Sequence, residues 1–196
     1  MIIALTACFA LLIVMFACQP IDGEMDTVQV YSDRNETLSL HVENDGIIRI
    51  EGDGKLFAYD LKVLLKTNRI RNRNVNDIII GDGITEIGYN AFNNMKYLET
   101  LKIGSGVVRV APSALKNCVS LEWLYIPSGL EEVGGGFLFK CEKCNVVTNA
   151  QPEALPPLDN VKDTRRIFAA VDSFDALRAA VGADTALPDA LEQWWR

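Results

Sequence analysis

The residues best suited to chemistry in this chain are its cysteines and its one histidine. Cys141-Glu142-Lys143-Cys144 sets two thiols three residues apart, the spacing of a redox pair in a βαβ setting or of half a zinc site. Cys118 stands 23 residues before Cys141. Three thiolates without a histidine make a poor tetrahedral zinc set. Three readings stay open: small buried hydrophobes, a disulfide between two of the three, or redox or metal work. His41 lies between Leu40 and Val42, so it falls on the outward register of a strand whose apolar neighbours point in. A lone outward histidine is ordinary surface. The sequence has no nucleophile elbow, phosphate loop or zinc-protease motif, and Gly134-Gly135-Gly136 lacks the Lys and Ser of a Walker loop. The expectation is a protein with no catalytic residues, no cofactor and no metal.

What must position these thiols is a repeat. Ile80, Ile103 and Ile126 are 23 residues apart, and so are Gly83, Gly106 and Gly129. In register, residues 77–99, 100–122 and 123–145 are three copies of one unit, and 146–149 begins a fourth. Apolar positions recur as Ile78, Leu101, Leu124 and Val147, as Ile84, Val107 and Leu130, and as Ile87, Val110 and Val133. Cys118 and Cys141 share the position of Met95, and Cys144 replaces the leucine of Leu98 and Leu121. A unit of this length is one coil of a solenoid, which buries its apolar side only by stacking on its neighbours. Each coil is predicted to open with a short strand at the 78–80 position and to turn at its glycine through a positive φ. A second extended stretch then carries Ile84 and Ile87 inward, and Asn90-Ala91-Phe92-Asn93-Asn94 reads as one helical turn. With strands about 4.8 Å apart, equivalent side chains touch in ladders.

Side chains between the inward positions of the strands must face out. Asp77, Thr100 and Trp123 form one such column; Ile79, Lys102 and Tyr125 form the next. Exposed aromatic and branched side chains on a regular sheet predict a partner-binding face made of Ile79, Thr100, Lys102, Trp123 and Tyr125, unless caps or loops cover it.

With a net charge of -7 and 49% hydrophobic residues, the chain suits one folded domain and argues against a nucleic-acid partner. One basic cluster, Lys62, Lys66, Arg69, Arg71 and Arg73, is either a solvated face or a contact for an anionic partner. Residues 1–17 are apolar apart from Thr6 and Cys8, which predicts a secretory signal segment. Residues 18–36 are polar and acidic and read as a tether.

Two resemblances add to this reading. Met15-Phe16-Ala17-Cys18 resembles the bacterial lipobox, which implies a lipidated Cys18 as the mature N-terminus and attachment to the membrane through that lipid. Leu5-Thr6-Ala7-Cys8 is a second match; an uncleaved anchor helix and conventional signal cleavage without lipidation are further alternatives. The run Ile80, Gly83, Ile84, Ile87, Gly88, Ala91, Phe92 and Leu98 resembles the BspA-type leucine-rich repeat of bacterial surface proteins. The second copy has Ala111 and Leu115 where the family has Gly and Phe, and the third has Phe137 for Ala. The fold the resemblance implies is a leucine-rich-repeat solenoid, mainly β with short helical turns. Its repeats would cover 77–149, between a β-hairpin cap at 37–76 and a strand-helix cap at 150–196. In the closing cap, Asp172 or Ser173 is placed to start a helix, Gly182 to stop it, and Pro188 to start a last short one. The function implied is a lipid-anchored bacterial outer-membrane protein, cell-surface rather than periplasmic. It would be a non-enzymatic module for surface adhesion or for binding a protein or glycan of the host. A periplasmic structural or assembly lipoprotein is the alternative, and a thiol oxidoreductase using Cys141 and Cys144 the remote one.

Overall fold

A computed structural model describes residues 28–31, 37–43, 46–156, 158, 166–182 and 185–196. The signal segment 1–17, Cys18 and most of the tether lie outside the described residues, as does the Asn44-Asp45 half of the hairpin turn. In chain order the elements are β1 Val28–Tyr31, β2 Thr37–Val42, β3 Ile48–Gly52, β4 Gly54–Leu56 and helix α1 Ala58–Thr67. The repeats supply β5 Asp77–Ile80, β6 Ile84–Ile87, β7 Thr100–Lys102, β8 Arg109–Val110, β9 Trp123–Ile126, β10 Glu132–Val133 and β11 Asn145–Thr148. Strand β12 Arg166–Phe168 and helix α2 Phe174–Val181 follow, and a 3₁₀ helix Asp189–Trp195 closes the chain.

Each coil contributes one strand to each of two sheets. The larger runs β1-β2-β3-β5-β7-β9-β11-β12 and the smaller β10-β8-β6-β4. From β3 onward every neighbour in the larger sheet is parallel, with Ile78 beside Leu101 and Leu101 beside Leu124. Inward side chains of both sheets, among them Ile80, Ile84, Ile103, Val107, Ile126 and Leu130, form one core. The hairpin of β2 and β3 pairs antiparallel and then offers β3 to β5, which satisfies the edge of the first coil. One part of the expected tether is a strand instead. Residues 28–31 pair antiparallel with β2, Val28 opposite Leu40 and Tyr31 opposite Thr37, and give the hairpin its own edge cover.

Two local expectations need correction. The repeat glycines do not adopt positive φ: Gly83, Gly106 and Gly129 are absent from the left-handed positions, which fall at Asn90, Ser113 and Gly136 and again at Asn94, Asn117 and Lys140. Those corners, 23 residues apart, replace the expected helical turn with two tight bends per coil. The bends stay in register because Phe92 N–H donates to the Ala114 carbonyl at 2.8 Å and Asn117 N–H to the Phe139 carbonyl at 2.8 Å. Glycine is needed at 83 and 106 for closeness. A Cβ at Gly106 would lie 1.9 Å from the Asp82 carbonyl oxygen and one at Gly83 2.3 Å from that of Gly52, whereas at Gly129 the nearest atom is 3.4 Å away.

The third coil is one residue short. Asn145 pairs with Trp123 and Val146 with Leu124, so the inward ladder ends in Val146 and Val147 joins Tyr125 on the outer side. Comparison with Leu98-Glu99-Thr100 and Leu121-Glu122-Trp123 puts the loss at the glutamate, because Cys144 leads straight into Asn145. A one-residue slip moves every following side chain to the opposite face of the sheet.

Outside the smaller sheet, Lys55, Glu86, Arg109 and Glu132 stand side by side with alternating sign, paired at 2.7 Å (Lys55–Glu86) and 2.9 Å (Arg109–Glu132). The exposed Arg109–Glu132 pair adds little to stability. The close approach at the glycines matters more. Gly106→Ala is expected to lower stability by about 2 kcal/mol or more, and Gly129→Ala to change it by no more than about 0.5–1 kcal/mol. Denaturation midpoints of the two variants measure the contrast, and equal losses would contradict the packing described.

Candidate functional site

The outward column of the larger sheet was the expected contact face, and the structure covers it. Trp123 and Tyr125 are 6% and 8% exposed, Ile79 2% and Thr100 1%. Their partner is the C-terminal part of the same chain. Ile79, Trp123, Tyr125 and Val147 form a second apolar cluster with Val171, Leu177, Leu191 and Trp194. Tyr125 meets the rings of Trp194 and Trp195 edge-on at 5.9 and 6.1 Å, and Trp123 stacks on Phe168 at 6.0 Å.

Local sequence places this cover. Ser173 Oγ accepts from Ala176 N–H at 3.2 Å and starts α2, and Gly182 at φ +100° ends it. Pro188 then precedes the 3₁₀ turn that carries Leu191 and Trp194 inward. Lys102 is held by two parts of this arrangement: its ammonium donates to the Trp194 carbonyl and lies 6.0 Å from the Tyr125 ring centre. Burial lowers the Lys102 pKa, while the Asp82 carboxylate acts in the opposite sense. Thr100 Oγ1 donates to Asp77 Oδ1 at 2.7 Å along the ladder. The predicted face of Ile79, Thr100, Lys102, Trp123 and Tyr125 is therefore an internal joint. Apolar side chains so dense on one strand face need a cover, and the Trp194-Trp195 pair at the chain's end was its signal.

The three described thiols are free and buried inside the stack. Cys118 Sγ donates to the Phe92 carbonyl at 3.1 Å and Cys141 Sγ to the Leu115 carbonyl at 3.0 Å, so each ties its coil to the preceding one. The hydrogen bond with Cys141, reinforced by burial, pushes the Cys118 thiol up, and burial pushes Cys144 up, whereas the hydrogen bond from Cys118 lowers Cys141. Cys118 and Cys144, held protonated, are poor nucleophiles and poor metal ligands, and Cys141 is kept from water by burial. Among the described residues, no group of three or more His, Cys, Asp or Glu side chains could hold a metal ion. His41 is half-buried beside Ser39, whose Oγ lies 3.1 Å from its Nε2. An open cleft between the strand starts and the closing 3₁₀ turn is lined by Asp77, Glu99, Asp189 and Glu192 with Ile47 and Gln193.

Two measurements check these placements. Trp194→Ala is expected to cost about 3–5 kcal/mol and to shift emission of Trp123 and Trp195 to the red; an unshifted maximum would show that the cover does not depend on it. In a variant with Cys8 and Cys18 replaced by Ser, Cys118, Cys141 and Cys144 are expected to react with a disulfide reagent only after unfolding, giving all three thiols. Rapid reaction in the folded protein would contradict their burial.

Crystal structures with similar chain paths are of leucine-rich-repeat proteins. One, from Eubacterium ventriosum, is 14% identical, with 67% of this chain covering 45% of that one at a TM-score of 0.40. A leucine rich cell surface protein from Faecalibacterium prausnitzii is 16% identical, with 81% of this chain covering 43% of it at 0.44. The T. pallidum leucine-rich-repeat protein is 13% identical, covered 80% and 90%, at 0.41. The chain thus spans less than half the length of the first two. No curated protein sequence matched the chain. Residues 65–153 match the family described as BspA type Leucine rich repeat region, in six copies. Coil geometry and family match agree: the repeat array of this chain belongs to the BspA-type leucine-rich repeats.

Proposed function

We propose that this protein is a non-enzymatic binding module of the bacterial cell envelope, anchored by lipid at Cys18 after removal of residues 1–17. It holds a protein or glycan partner at the cell surface, on the outer membrane. The observation that carries this reading is the frame itself. Backbone hydrogen bonds and side-chain ladders tie every coil to the next, so exposed side chains stand in fixed columns while the described thiols serve as core. Leucine-rich repeats are frames of this kind, and specificity lives in what is mounted on them. Because the aromatic column of the larger sheet is internal, the partner must meet another side of the stack.

Three arms test the reading. Labelled palmitate is expected to enter the protein in bacteria and to be lost in Cys18→Ala. Protease added to intact cells is expected to remove the protein; labelled protein that survives would place it in the periplasm and end the surface role. The chain is also expected to be retained on an array of matrix proteins and glycans, with Cys141→Ser retained to within about twofold of wild type, since a ladder thiol takes no part in recognition.

A further inference from the structure

One side of the solenoid carries a charge opposite to that of the rest of the chain. It is the side that returns each coil from the smaller sheet to the larger: residues 57–76 in the N-terminal cap, then 88–98, 111–121 and 134–144. The three coil segments stack, and the cap segment joins the first of them at its ends while its helix α1 packs on β1 and β2. Gly88 N–H donates to the Leu56 carbonyl at 2.8 Å and Thr100 N–H to the Asn76 carbonyl at 3.0 Å, which fixes both ends of the cap segment against the first coil. Leu115 N–H to the Phe137 carbonyl, at 3.1 Å, joins the next two.

Of the 19 Lys and Arg in the chain, nine stand on this side: the five from Lys62 to Arg73, then Lys96, Lys116, Lys140 and Lys143. Of the 26 Asp and Glu, only Asp60 and Glu142 do. The side therefore carries +7 and the remainder of the chain -14. Asp60 is buried, its carboxylate accepting from Phe57 N–H at 2.9 Å. All nine cations are exposed except the half-buried Lys116, and no ion pair among the described residues engages any of them.

A second observation falls on the same side. The large exposed aromatic side chains among the described residues are Tyr59, Tyr89, Tyr97 and Phe139, at 74%, 62%, 54% and 47%, and all four are here. Lys116 and Lys140 hold their ammonium groups 5.5 and 5.7 Å from the Phe139 ring centre, so aromatic and cationic groups are interleaved.

We propose that this side is the recognition face for a linear anionic polysaccharide. Its sulfate or carboxylate groups meet the ammonium and guanidinium groups, and its sugar rings lay their C–H faces on the exposed phenol and phenyl rings, whose π-faces are negative. The proposal rests on the binding-module reading and names the chemistry of its partner. A thin polymer suits the charge distribution. At physiological salt the field of a charge fades over about 8 Å, so a strand lying on this side escapes the -14 behind it, whereas a broad anionic membrane would meet that charge at the rims. Coils rising by about 4.8 Å also offer groups at regular intervals, as a repeating polymer requires. Nucleic acid offers similar chemistry, but an envelope protein facing outward meets glycans.

The test uses the full chain in a neutral detergent, with immobilised dextran sulfate as probe and uncharged dextran as its control. The expected result is binding to dextran sulfate alone, weakening as salt rises. Replacing Lys116, Lys140 and Lys143 together with Ala is expected to weaken binding at least about tenfold. Phe139→Ala is expected to weaken it by about fivefold with an unchanged salt slope, because the ring contributes stacking rather than charge. Lys55→Ala, on the smaller sheet, is expected to bind as wild type. Competition with poly(dT), polyglutamate or phosphatidylglycerol in the micelles checks the class of partner; displacement by any of them at lower charge concentration than dextran sulfate overturns the proposal. So does undiminished binding by the triple variant, or no binding by wild type. Retention on the matrix-protein array alongside either of those last results keeps the module reading and discards only the face.

Discussion

Each coil leaves a row of backbone N–H and C=O groups that only the next coil can satisfy, and this is the constraint on which the rest of the molecule depends. A 23-residue unit has no core of its own, so its apolar side chains are buried by stacking and its backbone groups are paired by the same act. Stacking requires that equivalent residues return to one place at every coil. The left-handed corners at Asn90, Ser113 and Gly136 and at Asn94, Asn117 and Lys140 bring the chain back. Gly83 and Gly106 let adjacent coils approach where a Cβ would collide with a carbonyl.

Both ends of such a stack are exposed unless something ends them. At the start, β2 pairs antiparallel with β3 and β1 antiparallel with β2, and α1 closes the core with Leu61, Leu64 and Leu65. At the finish, β12 pairs with β11, and the chain then folds back over the outer side of the larger sheet. That return covers Trp123 and Tyr125. It leaves the corner side of the coils, with its lysines and tyrosines, open to solvent.

The repeat made the solenoid legible, because identical spacing of Ile80, Ile103 and Ile126 has no simpler physical source. Strand positions and core ladders followed from alternation. Other features needed three dimensions. Glycine at 83 and 106 is compatible with a positive φ or with close approach, and sequence does not separate these causes; the neighbouring carbonyls do. The shortened third coil was hidden because Val146 and Val147 are the same residue type, so either extends the ladder on paper. The column of Ile79, Lys102 and Tyr125 faces out of its own coil, as alternation demands, yet it is covered by a segment far along the chain, from Val171 to Trp194, that periodicity cannot place. The basic side was visible only in part, since the cluster from Lys62 to Arg73 is contiguous in sequence while Lys96, Lys116, Lys140 and Lys143 join it only when the coils stack.

In-register stacking is the central claim, and methyl contacts in solution test it most directly. With Leu, Val and Ile methyls labelled, nuclear Overhauser effects should connect Leu101 with Leu124 and Leu124 with Val146, the neighbours on the inner side. A spectrum that joins Leu124 to Val147 instead, or that shows no contact between Leu101 and Leu124, would contradict the account.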